Sequence, residues 1–258
     1  MVRGFWRPPV EESGRLRALT RAADRVELKL VVSEPRAAST LGIDLTRAQR
    51  RRVYFLDTPD LALERHGVVV RLRSLDRKPD DAVVKLRPVV PRKVPSRLRR
   101  SKRFVVDVDA MPGSYVCSGT LKEHLGKRDV EQAIAAGRPL HTLLSGRQLR
   151  LLAEHGPAGV RIEDLVTFGP VDVRRGTFAA KRLDRALTVE RWVFPDGSTL
   201  LELSTRCRAK DAAAVAARTS AFLRARGVVP TEPQHTKTRA TLAYFTIGRT
   251  AVRRRSRA

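Results

Sequence analysis

An α+β fold built on an antiparallel β-meander is predicted by three features of the 258-residue chain. Apolar and polar residues alternate with period two in five segments between Asp24 and Asp109, and in three more between about 165 and 206. Between these sets, from about 114 to 156, apolar residues recur at spacings of three and four, as on a helix with one buried face. Short turn-like stretches join the early segments, which favours antiparallel neighbours. With 42% apolar residues, the chain has enough hydrocarbon to bury a core.

Residues 1 to about 23 mix Arg, Pro and Gly with few aliphatics and read as a loosely attached N-terminal arm. The first strand follows from Asp24, where Val26, Leu28 and Leu30 alternate with Glu27 and Lys29. Further strands are predicted at 51–57 (RRVYFLD), 67–73 (GVVVRLR), 81–87 (DAVVKLR) and 102–109 (KRFVVDVD), with a turn in the Asp-Thr-Pro-Asp run at 57–60. Residues 114–156 read as a helical insertion, spaced by Leu121 and Leu125, Val130 and Ile134, and Leu140, Leu143 and Leu144. Gly137 with Pro139, and Gly156 with Pro157, punctuate it. Strands resume at about 165–179, 186–194 and 198–206, and Asp196-Gly197 between the last two is a strong hairpin signal. An Ala-rich helix at 210–226 stopped by Gly227, a shorter helix at about 236–247 and a basic tail at 248–258 complete the chain. No internal repeat is evident.

Lys and Arg total 52 against 27 Asp and Glu, giving a formal net charge of +25 and a sequence pI near 11.5. Such an excess points to an anionic partner. The last six residues hold four arginines, yet the rest of the chain is strongly basic without them. Cys117 and Cys207 are far apart and form no Cys-x-x-Cys spacing, so neither a disulfide framework nor a zinc site is indicated. The histidines at 66, 124, 141, 155 and 235 have no ligand spacing, which leaves carboxylates as metal ligands and favours Mg²⁺ or Mn²⁺. No apolar run approaches the ~20 residues of a membrane helix, and Met1 to Pro9 lack a signal-peptide stretch. The expectation is a soluble protein retained in a reducing cytoplasm, without a membrane partner.

Charge placement within the strands carries the functional reading, because side chains at i and i+2 share one face of a sheet. Glu27 and Lys29 share a face, as do Arg71 and Arg73, and Lys85 and Arg87, while the alternate positions are aliphatic. One face is therefore apolar and the other densely cationic. Like charges opposite one another destabilise a sheet by up to ~1 kcal/mol per pair, so such strands call for a counter-charge. Carboxylates reappear in the same alternation on late strands, with Glu190 beside Thr188 and Trp192, and Glu202 beside Leu200 and Ser204. A few carboxylates among many cations suit a divalent metal with a polyphosphate.

In several segments the chain resembles the CYTH family, named for class IV adenylyl cyclases and thiamine triphosphatases and also known as triphosphate tunnel metalloenzymes. They are RVELKL (25–30), YFLDTPDLALERHGVVVRLR (54–73), VVKLR (83–87), ERWVFPDGSTLLELS (190–204) and HTKTRATLAYF (235–245), which together span nearly the whole chain. The resemblance implies an eight-stranded antiparallel barrel over 24–247, with the ligand in a central polar tunnel. It assigns phosphate binding to Lys29, Arg71, Arg73, Lys85 and Arg87, with Arg174 and Lys237 as additional contacts. Metal binding falls to Glu27, Glu202 and Glu190, and the catalytic positions are Glu27, Lys29 and Lys85. Two departures stand out. The family's first-strand signature is Glu-x-Glu-x-Lys, but Arg25 occupies the leading position here, and the fifth strand offers Asp107 and Asp109 where relatives carry glutamates.

The function expected is binding of triphosphate or short polyphosphate, with metal-assisted hydrolysis of an inorganic, nucleoside or thiamine triphosphate. Three alternatives stand beside it: a catalytically weakened polyphosphate-binding module, which Arg25 favours; an adenylate cyclase, in which a 3′-hydroxyl replaces water; and a nonspecific nucleic-acid binder acting through the basic tail. Residues 92–103 hold seven cations and no acid, and read as a mobile, solvated inter-strand loop. Aromatics are only 5% of the chain, too few to favour base stacking. Trp192 reads as a packing or tunnel-wall residue, the two cysteines as small core or surface residues, and the histidines as structural.

Overall fold

The computed structural model describes residues 4–6, 23–183 and 185–255. Among these residues there are nine strands: β1 (Arg25–Val32), β2 (Gln49–Asp57), β3 (Val68–Leu75), β4 (Asp81–Leu86), β5 (Phe104–Met111), β6 (Ser114–His124), β7 (Val166–Phe178), β8 (Leu187–Val193) and β9 (Thr199–Cys207). The longer helices are α1 (Glu34–Leu41), α2 (Asp129–Ala135), α3 (Gly146–His155), α4 (Ala212–Arg224) and α5 (Lys237–Arg255). Hydrogen bonds join the strands in the closed order β1-β5-β6-β4-β3-β2-β7-β8-β9. The fold is thus α+β with a closed barrel.

The barrel has one strand more than the eight expected, and the extra strand comes from the segment read as the start of a helical insertion. Residues 114–124 form β6. Gly113, with φ of +73°, makes the turn from β5, a conformation glycine adopts without steric cost. Leu121 and Leu125 happen to lie four apart, which imitated a helix; the β-prone run around Tyr115, Val116 and Cys117 carries the strand. Helices begin only at Asp129. A second difference is that β1 pairs with β5 in parallel and with β9 antiparallel, whereas a wholly antiparallel barrel was expected. The Asp196-Gly197 hairpin is formed, with Gly197 at φ of +83° and the Phe194 N–H donating to the Ser198 carbonyl.

The chain divides into two compact units, one of Met1–Arg50, Arg87–Thr120 and Val173–Gln234, the other of Arg51–Leu86, Leu121–Asp172 and His235–Ala258. In the first, Val26, Leu28 and Leu30 of β1 and Leu201 and Leu203 of β9 are buried hydrocarbon, and α1 packs on β9. Fully burying a side chain of this size contributes about 1.5–3 kcal/mol. Of the N-terminal arm only residues 4–6 are described, and these are held: the Phe5 N–H donates to Ser220 Oγ at 3.0 Å, and buried Trp6 donates from Nε1 to the Lys29 carbonyl at 2.8 Å. Residues 1–3 and 7–22 of the arm, and 256–258 of the basic tail, lie outside the described residues.

In the second unit, β2, β3 and β4 form an antiparallel ladder, with Arg71 opposite both Phe55 and Val83 and Arg73 opposite Asp81. Helices α2 and α3 pack against β3 and β4, and the buried Gln148 side chain donates to the Ala82 carbonyl at 2.9 Å while completing a capping box with Ser145. The Asp-Thr-Pro-Asp run is a cap. Buried Asp57 accepts from the backbone N–H groups of Thr58, Leu63 and Glu64 at 2.7–2.9 Å, and Thr58 Oγ1 accepts from Ala62, so the run fixes the helical turn Ala62–Arg65. Asp80 does the same for α2 and the β3–β4 turn, accepting from Val130 and Leu75. Among the described residues no helix is long and apolar enough to cross a membrane.

Candidate functional site

Strand register decides which charges meet. In the first unit Arg25 lies opposite Asp107 and Glu27 opposite Asp109; on the other side of β1, Glu27 lies opposite Arg206 and Lys29 opposite Ser204. Glu190 of β8 faces Glu202 of β9. Paired positions project from the same side of a sheet. The charged face of this unit therefore holds Arg25, Lys29 and Arg206 with Glu27, Asp107, Asp109, Glu190 and Glu202.

Asp109 is the hub of that face. Its carboxylate, buried at 5% exposure, takes Lys29 Nζ at 2.6 Å, Arg87 at 2.6 Å and the Ser118 hydroxyl at 2.8 Å. Lys29 also reaches Glu27 at 3.3 Å, and Arg206 reaches the other Glu27 oxygen at 3.2 Å. Burial pulls the Lys29 pKa down, but Asp109, then Glu27 and Glu202, outweigh it and hold the ammonium above the usual lysine range. Lys29 is a fixed positive charge and not a proton acceptor. Arg25 grips Asp107 through two hydrogen bonds of 2.6 and 3.3 Å. The residue that departs from the family signature thus has its own carboxylate, and Asp107 is committed to a cation. Glu190 meets Arg175 at 3.4 Å and accepts from the indole of buried Trp192 at 3.4 Å. Arg174 instead turns to the Thr46 carbonyl at 3.5 Å, so its neighbour Arg175 supplies the cation from β7.

On this face five cations (Arg25, Lys29, Arg87, Arg175, Arg206) stand with five carboxylates (Glu27, Asp107, Asp109, Glu190, Glu202), which leaves it close to electroneutral. The counter-charge that the cationic strands require is in part supplied by the protein itself.

The second unit gathers its own charges. On the β3–β4 ladder Arg71, Arg73 and Lys85 share a face with Asp81. Arg73 holds Asp81 in a two-pronged pair at 2.7 and 2.6 Å, and Lys122 approaches it at 3.1 Å. Burial alone would raise the Asp81 pKa; the hydrogen bonds and charge of Arg73, with Arg71 and Lys122 behind them, hold it down at about 2. Lys85 lies opposite Val69, two positions along the ladder from the Arg71–Val83 pair. Lys237 opens α5 in the same unit.

For a metal, Glu27 is engaged by Lys29 and Arg206, while Glu190 and Glu202 stand opposite each other on adjacent strands. Among the described residues no group of three or more His, Cys, Asp or Glu side chains is placed to hold a metal ion. The donor set is a carboxylate pair and not a closed protein cage. Cys117 and Cys207 are buried free thiols, and burial followed by the charge of Asp109 pushes Cys117 up to about 11, which suits inert core positions.

Sequence reasoning grouped Glu27 with Lys29 and set Glu190 and Glu202 on charged faces, in keeping with the strand register, while Arg87 lies beyond the end of β4 and meets Asp109; it missed Arg175, Arg206, Lys122 and Asp81. The alternation signal was present for two of them: Arg206 lies two residues beyond Ser204, and Asp81 heads the same face as Lys85.

No protein-family model matches the sequence, and no curated protein does. Solved structures share the fold, two of them at a TM-score of 0.58. A Bacillus halodurans protein provisionally named an adenylate cyclase aligns with a TM-score of 0.58 at 14% identity, covering 84% of this chain and 97% of its own. A Hippeastrum protein, provisionally named an adenylyl cyclase and with a dominant triphosphatase activity, aligns with a TM-score of 0.58 at 17% identity, covering 86% of this chain and 95% of its own.

Proposed function

We propose that the chain is a triphosphate-tunnel protein of the CYTH type, which binds triphosphate or short polyphosphate and hydrolyses it with a divalent metal. The observation that carries this reading is the β3–β4 ladder, whose register puts Arg71, Arg73 and Lys85 on one face together with Asp81. A partly buried face that gathers three cations attracts a compact polyanion, and guanidinium groups match phosphate oxygens two at a time. Asp81 fixes the plane of Arg73, which spares the ligand the cost of ordering it. The fold shared with a protein of dominant triphosphatase activity supports the same substrate class.

In this mechanism Arg71, Arg73 and Lys85 draw charge from the non-bridging oxygens, which stabilises the transition state of in-line attack by water. In the first unit Lys29, held protonated by Asp109, is a positive charge that does not titrate away. Mg²⁺ is typically bound by one or two carboxylates together with substrate phosphates. Glu190 and Glu202 of the first unit fit that mode as a carboxylate pair, and Mg²⁺ or Mn²⁺ held there would supply positive charge to phosphate oxygens.

Phosphate release from tripolyphosphate, ATP and thiamine triphosphate, with Mg²⁺ or Mn²⁺, tests the proposal in wild type, Glu27→Ala and Lys85→Ala. Metal-dependent release that both substitutions abolish supports it. A second reading, binding without turnover, is favoured by the near-neutral Arg25–Asp107 and Lys29–Asp109 network and predicts binding weakened by Lys85→Ala with no release from any substrate.

A further inference from the structure

Residues 92–103 are built into the structure of the first unit. Pro91–Lys93 form a 3₁₀ turn and Ser96–Arg99 a helical turn, and Pro91 is buried. Backbone N–H groups of Leu98, Arg99, Arg100 and Ser101 donate within the segment, Lys93 donates to the Val90 carbonyl, and Val89, just ahead of the segment, donates to the Cys117 carbonyl of β6. This surface carries Arg92, Lys93, Arg97, Arg100, Lys102 and Arg103 exposed, with no acidic residue between them. The seventh cation, Arg99, pairs with Asp24 at 3.4 Å, and Asp24 also accepts from the Val106 N–H of β5. Asp24 immediately precedes Arg25, which sits on the charged face described above. Arg99 therefore links the exposed cations to the Arg25 end of that face.

We propose that this surface is a second polyanion site, which engages linear polyphosphate chains longer than triphosphate; it rests on the proposed function in that its ligand is of the same chemical class. Arg92, Lys93, Arg100 and Lys102, exposed and close together in sequence with no acid among them, repel one another, and each phosphate of a bound chain relieves that repulsion while releasing counterions. The chemistry favours a chain of phosphates over a nucleic acid. Residues 92–103 contain no aromatic side chain on which a base could stack, and the single helical turn Ser96–Arg99 is too short to serve as a major-groove reader.

The test compares wild type with the combined Arg92→Gln, Lys93→Gln, Arg100→Gln and Lys102→Gln variant, all at exposed positions, by measuring Kd for tripolyphosphate, for a long-chain polyphosphate and for a single-stranded RNA of similar charge. The expected result is a long-chain Kd weakened by about tenfold or more with a shallower salt dependence, and a tripolyphosphate Kd unchanged within about twofold. Equal loss for both phosphates, or no loss for the long chain, overturns the proposal. RNA that binds wild type as tightly as the long chain and weakens equally in the variant also overturns it, as a general nucleic-acid surface. If wild type ignores tripolyphosphate but binds the long chain through these four residues, the surface stands and the proposed function fails.

Discussion

Asp109→Asn is the substitution that most sharply perturbs the charge network. The carboxylate is nearly buried and answers two cations at 2.6 Å, of which Lys29 has a side chain only 12% exposed and Arg87 one of 22%. Removing one partner of a buried ion pair costs about 3–5 kcal/mol, because the charge left behind has no water to replace the lost partner. Glu27 remains 3.3 Å from Lys29, and the asparagine oxygen still accepts one hydrogen bond, so the lower end applies. A loss of about 3 kcal/mol in a chain of this size lowers Tm by roughly 6–12 °C. Thermal unfolding in phosphate-free buffer reads this directly. Tripolyphosphate offers oxygens to the same cations, so saturating ligand is expected to raise the variant's Tm more than the wild type's. A variant within about 2 °C of wild type, or one that gains no more from ligand than wild type does, would show that Asp109 does not hold these cations in place.

Other consequences follow from the same geometry. Asp81 is held at about 2 against an ordinary value of 3.8, so its contribution of about 2 kcal/mol is complete above the usual carboxylate range and is lost as pH falls from about 4 to about 2. Urea unfolding across that interval is expected to show a shallower acid loss in Asp81→Asn than in wild type; parallel curves would contradict the assignment. Asp57→Ala removes the acceptor of three backbone N–H groups and is expected to cost about 2 kcal/mol in urea unfolding, with Asp57→Asn recovering part of it. Glu202→Gln is expected to lower Mg²⁺-dependent phosphate release by about tenfold or more while changing the tripolyphosphate Kd only slightly, and an unchanged metal titration would remove Glu202 from metal binding.

Much of the barrel was legible because strand alternation is a local signal. β1, β3, β4, β8 and β9 lie where Val26 to Leu30, Val68 to Arg73, Val83 to Leu86 and the residues around Asp196-Gly197 place them. The strand at 114–124 was not legible from spacing alone, since Leu121 and Leu125 fit a helix as well as they fit its edge; the turn at Gly113 was the better guide. Parallel pairing of β1 with β5 leaves no mark on either strand's alternation, because both neighbours of β1 want the same residues buried. The site shows the same division. Which residues carry charge on one face follows from parity, but which charges touch depends on register between strands distant in sequence. Asp107 and Asp109 could be read as metal ligands until Arg25 and Lys29 were found opposite them and beside them. Likewise, adjacent arginines at 174 and 175 cannot be told apart until β7 has a phase, and only then does Arg175 meet Glu190.

Calorimetric titration of tripolyphosphate into wild type, Arg71→Ala and Lys85→Ala tests the central claim most directly, because it reads binding without requiring turnover or metal. Binding in wild type that weakens by about tenfold or more in each variant, with Tm of the unliganded proteins little changed, is expected if the β3–β4 cations hold phosphate. Wild-type binding that survives both substitutions undiminished, or no binding by a folded wild type, would contradict it.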